Sequence, residues 1–261
     1  MNTIRAAAVA GMFYPANEAS LKEMVNQFLS QAKSTGSPPR AIIAPHAGYI
    51  YSGPVAASAY HLLEPCRDKI SRVILLGPSH RVPLLGLAAS SAENFATPLG
   101  SVALDQAMIN ELTQLPQVTY LDEAHLLEHS LEVHLPFLQT VLGHFKLVPL
   151  VVGDATPDQI CEVLEKACID DQTLIIISSD LSHYHTYDKA RQMDAATSAA
   201  IEDLTPEKIG YDDACGRIPV NGLLLYARKH GLHAETLDLR NSGDTAGPRD
   251  EVVGYGAYVF R

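Results

Sequence analysis

Short, wholly apolar runs alternate along this chain with longer segments in which apolar side chains recur every three or four residues. The apolar runs are too short for buried helices and predict strands at residues 40–45, 71–77, 146–152 and 173–178. Two strand-like segments follow near the end, at residues 233–239 and 251–260. The periodic segments predict helices at residues 18–33, 54–64, 105–115, 131–143, 157–168, 187–202 and 219–229. Buried strands separated by helices are typical of parallel sheets. We therefore predict an α/β fold with a mostly parallel central sheet and helices on both faces.

The length of 261 residues lies near the upper limit for one hydrophobic core. Neither a linker nor a repeat of fixed period divides the chain. Hydrophobic residues make up 47% and charged residues 19%, a composition that favours an ordered globular protein. We expect a single domain over residues 1–261.

The formal net charge of −11 argues against nucleic acid as a partner, because phosphate neutralisation needs clustered Lys and Arg. The sequence contains no polybasic run that would bind anionic lipid, and no apolar run reaches the ~18 residues of a membrane span. The cysteines form no CxxC pair and are expected to be buried, reduced thiols, at Cys66, Cys161, Cys168 and Cys215. These features predict a cytoplasmic protein with no nucleic-acid or membrane partner.

Three of the predicted strands run directly into polar residues. One leads into His46, the next into His80, and the third into Asp180, followed by His183. Because ligands bind at the carboxyl ends of parallel strands, we expect these side chains at one edge of the sheet. Packing alone does not explain histidines after three buried strands, so the pattern predicts a polar pocket.

The residue types in this pocket suit metal or proton chemistry. Neutral imidazole is a common metal ligand, although His46 and His80 could also be turn histidines bonded to backbone carbonyls. Asp180 could hold His183 in one tautomer as a general base, or could cap a following helix. The segment EHSLEVH at residues 128–134 is weak as a metal site of its own and suits a pocket wall.

Asp244 lies in the turn NSGDTAG between the last two predicted strands. It is either an ordinary hairpin residue or the carboxylate that a two-histidine site lacks. Two histidines and one carboxylate form the facial triad of non-haem Fe(II) sites, and zinc hydrolases use similar ligands. Glycine-rich nucleotide loops, a GxSxG elbow and HExxH are absent from the sequence.

Six motifs in order along the chain carry a resemblance to a known family: AGMFYPANEASL, APHAGYIYSGPVAA, LLGPSH, EHSLEVHLPFLQ, SSDLSHY and NSGDTAG followed by VVGYGA. Together they resemble the Memo family, whose prokaryotic members are also called AmmeMemoRadiSam system protein B. The resemblance covers essentially the whole chain and implies a fold similar to the LigB-like class III extradiol dioxygenases, which use non-haem iron.

The resemblance also implies roles for residues. His46, His80 and Asp244 match the metal ligands, His183 matches the acid/base histidine, and Asp180 lies beside it. Further residues fall in the pocket motifs, namely Tyr49, Ser79, Glu128, His129 and His134. The implied cofactor is a metal ion, with Fe(II) expected and Cu or Zn as alternatives. Radical-SAM and AMMECR1-type proteins of the same system are the implied protein partners.

One departure from the family concerns the third ligand. Animal members have a cysteine at the position aligned with Asp244, and a carboxylate there favours Fe(II) over a soft-metal site. Asp250 and Glu251 are the other carboxylates of this region. Three functions follow as hypotheses: a dioxygenase-like oxidoreductase, a metal-assisted hydrolase, and a non-enzymatic module that binds a small molecule, peptide or partner protein.

Overall fold

The computed structural model describes residues 3–168 and 170–261. Its α-helices are α1 (Glu18–Gln31), α2 (Tyr49–Tyr60), α3 (Gln106–Leu112), α4 (Asp122–Leu126), α5 (Leu135–Val141), α6 (Pro157–Ala167), α7 (Tyr187–Glu202) and α8 (Arg217–His230). Its strands are β1 (Ile4–Arg5), β2 (Ala41–Ala44), β3 (Arg72–Pro78), β4 (Leu87–Ala89), β5 (Asn94–Thr97), β6 (Gly100–Ala103), β7 (Val118–Tyr120), β8 (Lys146–Val152), β9 (Thr173–Ser178), β10 (His183–His185), β11 (Ala234–Asn241) and β12 (Val252–Phe260). Short 3₁₀ segments lie at His61–Cys66, Glu132–His134, Pro206–Lys208 and Ser242–Asp244.

The main sheet has the strand order β10-β12-β2-β9-β3-β8-β4-β7, and β11 also pairs with β12. Its centre is parallel, because β2, β9, β3 and β8 all run in one direction. Strand β12 is antiparallel to β2, and β4 is antiparallel to β8. The four central strands are buried almost throughout. A separate three-stranded sheet contains β1, β5 and β6.

Two groups of helices cover the main sheet. Helices α1, α2 and α5 contact one another, and α2 also contacts β2 and β12. Helices α6 and α8 form a second group with α3, and α8 contacts β3 and β9. The predicted α/β class with a parallel core is therefore confirmed, with antiparallel strands added on both sides of the core.

Local sequence signals explain where several helices begin and end. Asn17 caps α1 by accepting from the backbone N–H of Ser20. Thr156 and Gln159 form a capping box at the start of α6, where Pro157 suits the first helical position. Gly231 ends α8 in the left-handed conformation that glycine adopts without strain. These signals are local, so the sequence predicts these helices well.

The structure differs from the predicted elements where prolines or very short strands occur. Helix α2 begins at Tyr49 rather than at 54, with Pro54 inside it. The helix predicted over 131–143 is a 3₁₀ segment followed by α5, with Pro136 in the first turn of α5. Strands β4 to β7 have only three or four residues each, which is too short for a periodic pattern.

The N-terminal segment is fastened to the body of the protein by a buried ion pair between Arg5 and Glu132. The Glu132 carboxylate also accepts from the backbone N–H groups of Ala8 (2.7 Å) and Val9 (3.0 Å) and from the Tyr14 hydroxyl. Arg5 continues the connection by donating to the backbone oxygens of His125 and Glu128. Among the described residues, no helix is long and apolar enough to cross a membrane.

Candidate metal centre

A cavity of about 1190 Å³ opens where the central parallel strands end. His46 follows β2, His80 follows β3, and Asp180 follows β9. All three line the cavity, together with His183 of β10 and Cys215, which lies just before α8. The strand-end pattern thus leads to one shared pocket, and the structure adds a cysteine to it.

His46 is buried, and its hydrogen bonds define its tautomer. Its Nδ1 lies 2.6 Å from Ser178 Oγ, whose own proton is donated to the backbone oxygen of Ser130 at 2.6 Å. Ser178 must therefore accept from His46 Nδ1–H, which leaves Nε2 with a free electron pair. That Nε2 lies 3.4 Å from the sulfur of Cys215. Burial, and then the neighbouring histidines, keep the pKa of His46 well below its ordinary value.

His80 has the same arrangement with a carboxylate as its partner. Its Nδ1 lies 2.9 Å from Glu128 Oε1, and its backbone N–H donates to Glu128 Oε2 at 2.6 Å. Burial alone would raise the pKa of Glu128, but the hydrogen bonds from His80 and Ser130 lower it to about 2. The ionised carboxylate holds the proton on Nδ1, so Nε2 of His80 carries the free electron pair that could bind a metal.

Cys215 completes the group, because ligand atoms of His46, His80 and Cys215 all lie within 4.8 Å of one another. The thiol sulfur also accepts from the backbone N–H of Asp180 at 3.3 Å. Burial and the nearby Asp180 raise the pKa of the thiol to about 12 in the metal-free protein. A bound metal ion would reverse this by stabilising the thiolate.

Asp244 is not brought together with the histidines, contrary to the expected ligand set. Its carboxylate accepts from the Tyr187 hydroxyl at 2.5 Å and from the backbone N–H of Asn241 at 3.1 Å. Arg249 lies 3.7 Å from the same carboxylate. Asp244 therefore closes its own hairpin, and the cavity wall contains Cys215 but not Asp244.

The sequence alone does not single out Cys215, because a cysteine without a CxxC partner is typical of a buried, reduced thiol. The one signal for a cysteine near the site was that animal members of the family have a cysteine at the position aligned with Asp244. The structure places a cysteine beside the two histidines at Cys215, in the segment DACGRIP that leads into α8, whereas position 244 carries an aspartate. The approach of Cys215 to His46 depends on how α8 packs against the sheet, which spacing along the chain does not reveal.

Asp180 and His183 are the predicted proton-transfer residues. Asp180 is buried and accepts from the His46 backbone N–H at 2.8 Å, and no helix follows that it could cap. Burial raises the pKa of Asp180 to about 7, although the hydrogen bond from His46 opposes the shift. Burial lowers the pKa of His183. Both groups line the cavity. Asp180, with a pKa of about 7, could hold or release a proton near neutral pH, whereas the lowered pKa of His183 leaves a neutral imidazole that could accept one.

The other predicted pocket residues divide into two groups. His129 and Ser79 line the cavity, and the His129 ring stacks on His80 with centroids 4.6 Å apart. Tyr49 and His134 lie behind it in the core: Tyr49 donates to the backbone oxygen of Val133 at 2.6 Å, and His134 Nδ1 lies 2.7 Å from the Tyr60 hydroxyl. Tyr49 and His134 therefore lie behind the cavity wall and do not face the cavity.

Strand β10 carries strain at the cavity mouth. Tyr184 has φ of 59°, a conformation that is costly for a residue with a side chain. The pairing of β10 with β12 is irregular between His183 and His185. As a result, His183, Tyr184 and His185 all line the cavity, whereas a regular strand would turn the middle residue away.

Asp194 of α7 holds the segment before β10 by accepting from the backbone N–H of Ser182 at 3.0 Å. Burial raises the pKa of Asp194 from 3.8 to about 6. As pH rises, the Asp194 carboxyl loses its proton near pH 3.8 in the unfolded chain but only near pH 6 in the folded protein. The free energy of unfolding therefore falls progressively between these two pH values.

We therefore expect Asp194→Asn to raise the free energy of unfolding by about 2 kcal/mol at pH 8 and to give little gain at pH 3.5. Urea unfolding of both proteins at the two pH values measures this difference. An equal gain or loss at both pH values would contradict the assignment of a raised pKa to Asp194.

The fold and the pocket define a class: an α/β protein with two histidines and one cysteine gathered at the carboxyl edge of a parallel sheet. A family profile described as Memo-like protein matches residues 5–259. The chain is 37% identical to a MEMO1 family protein of Sulfolobus acidocaldarius, with 97% of each chain covered. It is 33% identical to one from Thermoplasma volcanium, with 98% of each covered. This chain belongs to the Memo family.

A solved structure supports the fold. The crystal structure of an uncharacterized protein from Escherichia coli K12 matches with a TM-score of 0.51, covering 84% of this chain and 98% of that one. The two sequences are 12% identical, so the likeness concerns the fold alone.

Proposed function

We propose that this protein is a metal-dependent oxidoreductase that binds one transition-metal ion through His46 Nε2, His80 Nε2 and Cys215 Sγ. The observation that carries the proposal is the approach of the three donor groups to within 4.8 Å of one another. In support, Ser178 and Glu128 fix both imidazoles with the proton on Nδ1, as expected for outer partners of metal-bound histidines. Three protein ligands beside an open cavity leave coordination positions for a substrate.

The donor set bears on the choice of metal. The expectation of Fe(II) rested on the resemblance to iron-dependent dioxygenases and on Asp244 as a ligand. A thiolate is a softer donor than that carboxylate. Imidazole and thiolate together suit copper and zinc as well as iron. When bound, a redox-active ion would supply electron transfer between a substrate and O₂, and we therefore place iron or copper first.

The residues around the three donors have separate tasks in this proposal. Glu128 and Ser178 orient the imidazoles, and the stacked His129 limits the movement of the His80 ring. Asp180, with its pKa near 7, could take up or release a proton beside the substrate. His183 offers a neutral imidazole in the same wall as a proton acceptor.

A metal-assisted hydrolase is the second candidate, and the thiolate favours it. Zinc is held by cysteine and histidine in catalytic sites that keep one position for water. Asp180 or His183 would then accept the proton of that water. The metal bound by the purified protein separates the two candidates, because zinc has no redox chemistry.

The test is metal content after anaerobic purification, measured by elemental analysis. We expect wild type to hold close to one metal ion per chain, and His46→Ala and Cys215→Ala to lose at least about 90% of it, because two remaining ligands bind weakly. Asp244→Asn is the matched control, since it changes the other candidate ligand, and it should retain the metal. The proposal fails if wild type binds no metal after incubation with Fe(II), Cu(I) or Zn(II), or if only Asp244→Asn loses it.

A further inference from the structure

Most arginines in this acidic chain are paired. Eight of the eleven bind a carboxylate or a backbone oxygen, namely Arg5, Arg40, Arg67, Arg72, Arg228, Arg240, Arg249 and Arg261. Over residues 3–168 and 170–261, Arg81, Arg191 and Arg217 make no such bond. With 30 acidic against 19 basic residues, free guanidinium groups are unexpected, so their location is informative.

Two of these three arginines line the cavity. Arg81 directly follows His80, and Arg217 lies two residues after Cys215 at the start of α8. Arg217 lies over the Tyr211 ring with its guanidinium carbon 5.4 Å from the centroid, which restrains the side chain without neutralising it. Each arginine is thus within two residues along the chain of one of the three proposed metal ligands.

The start of α8 adds to the positive potential on this wall. Its N-cap, Gly216, provides no side-chain acceptor to the first turn, and no acidic residue lies in that turn. A helix of 14 residues places partial positive charge at this end, next to the Arg217 guanidinium.

Carboxylates in the same cavity do not cancel this charge by pairing. Asp154 and Asp212 line it but are exposed, and neither makes an ion pair with an arginine among the described residues. Asp180 is engaged by the backbone N–H of His46. The guanidinium groups therefore keep their donors available, and a planar fork of N–H donors matches the oxygens of a carboxylate or phosphate.

We infer that the substrate is a small anion whose carboxylate or phosphate group is held by Arg217 and Arg81 beside the metal-binding residues. The inference rests on the proposed function for the metal's place beside the substrate, but the arginine site itself can be tested without metal. The aromatic side chains of Tyr184, Tyr211 and Tyr255 in the same wall suit an anion with a planar or apolar body.

The experiment measures the Kd of benzoate, inorganic phosphate and neutral benzamide by calorimetry, using full-length protein freed of metal with a chelator. We expect wild type to bind at least one of the anions more tightly than benzamide, and the tighter anion identifies the class of substrate group. Arg217→Gln and Arg81→Gln should each raise the Kd of that anion by about tenfold or more, since each removes a charge-assisted hydrogen-bond donor. Benzamide binding should not change.

Arg191→Gln is the matched control. Arg191 likewise lacks an anionic partner among the described residues and lies over a tyrosine ring, at 5.7 Å from the centroid of Tyr187, but it is not in the cavity wall. Its variant should bind the anions as wild type does. Equal binding of benzamide and both anions by wild type, or wild-type affinity in Arg217→Gln, would overturn the inference.

Repeating the titration in His46→Ala separates this inference from the proposed function. If the protein binds no metal but anion binding still depends on Arg217, the anion site stands and the metal proposal fails. If metal binds while no anion preference exists with or without it, the metal proposal stands and this inference is lost.

Discussion

Replacing Glu132 by glutamine is expected to lower the free energy of unfolding by about 3–5 kcal/mol, because it leaves the buried Arg5 guanidinium without its counter-ion. Both side chains are almost fully buried, with exposed fractions of 5% for Arg5 and 0% for Glu132. Desolvating a charge is costly unless a partner of opposite charge remains, and the amide of glutamine is neutral.

The second cost of this change comes from the hydrogen bonds around Glu132. Its two carboxylate oxygens accept from Ala8 N–H, Val9 N–H and the Tyr14 hydroxyl, in addition to Arg5. Glutamine keeps one oxygen and places an NH₂ group where the other was, so donor would face donor. At least one buried N–H then loses its acceptor, which is unfavourable by about 1–3 kcal/mol.

Urea unfolding at pH 7 measures the effect, and Glu235→Gln is the comparison. Glu235 is also paired with an arginine, Arg261, but its side chain is 55% exposed. Water screens such a pair, so we expect a change below about 1 kcal/mol there. Similar losses in the two variants would mean that the burial of the Arg5–Glu132 pair does not matter.

The strand ends explain why part of the site was predictable. His46 and His80 follow strands whose largely apolar sequence identifies them as parallel and buried, and parallel strands β2 and β3 end at the same edge. No long-range information is needed for that step. The predicted strands β8 and β9 are reproduced at their stated bounds for the same reason.

Asp244 shows where that reasoning stops. Strand β12 is antiparallel to β2, so the hairpin before it does lie toward the same edge as His46. The edge rule, however, gives the position of a loop and not the direction of its side chains. Tyr187 on α7 and Arg249 within the hairpin draw the carboxylate away, and β10 pairs with the start of β12 beside the cavity. These contacts depend on tertiary packing.

Replacing Glu128 by glutamine is expected to weaken metal binding by about 10–100-fold, the effect typical of losing a partner behind a metal-bound histidine. Four donors converge on this carboxylate: the Nδ1 and backbone N–H of His80, and the backbone N–H groups of His129 and Ser130 at 2.9 Å each. An amide cannot accept from all four, because one of its ends is itself a donor. His80 then loses the acceptor that holds its proton on Nδ1.

Two measurements follow this change. Competition with a chelator gives the metal affinity of wild type and Glu128→Gln, and ¹⁵N NMR of the metal-free proteins reports which nitrogen of His80 carries the proton. We expect the wild-type protein to show the Nδ1–H tautomer, and the variant to show a mixture. An unchanged tautomer together with unchanged affinity would contradict the role assigned to Glu128.

Glu132→Gln is the matched control for this experiment as well as a prediction in its own right. Its carboxylate is as buried as that of Glu128, lies four residues further along the chain, and accepts from backbone N–H groups in the same way. It contacts neither His46, His80 nor Cys215 among the described hydrogen bonds. Under conditions where both variants are folded, Glu132→Gln should therefore lose stability and keep its metal affinity, whereas Glu128→Gln should lose metal affinity. If both variants lost metal affinity equally, the cause would be a general loss of order in the segment that carries the two carboxylates. The orientation of His80 by Glu128 would then not explain the effect.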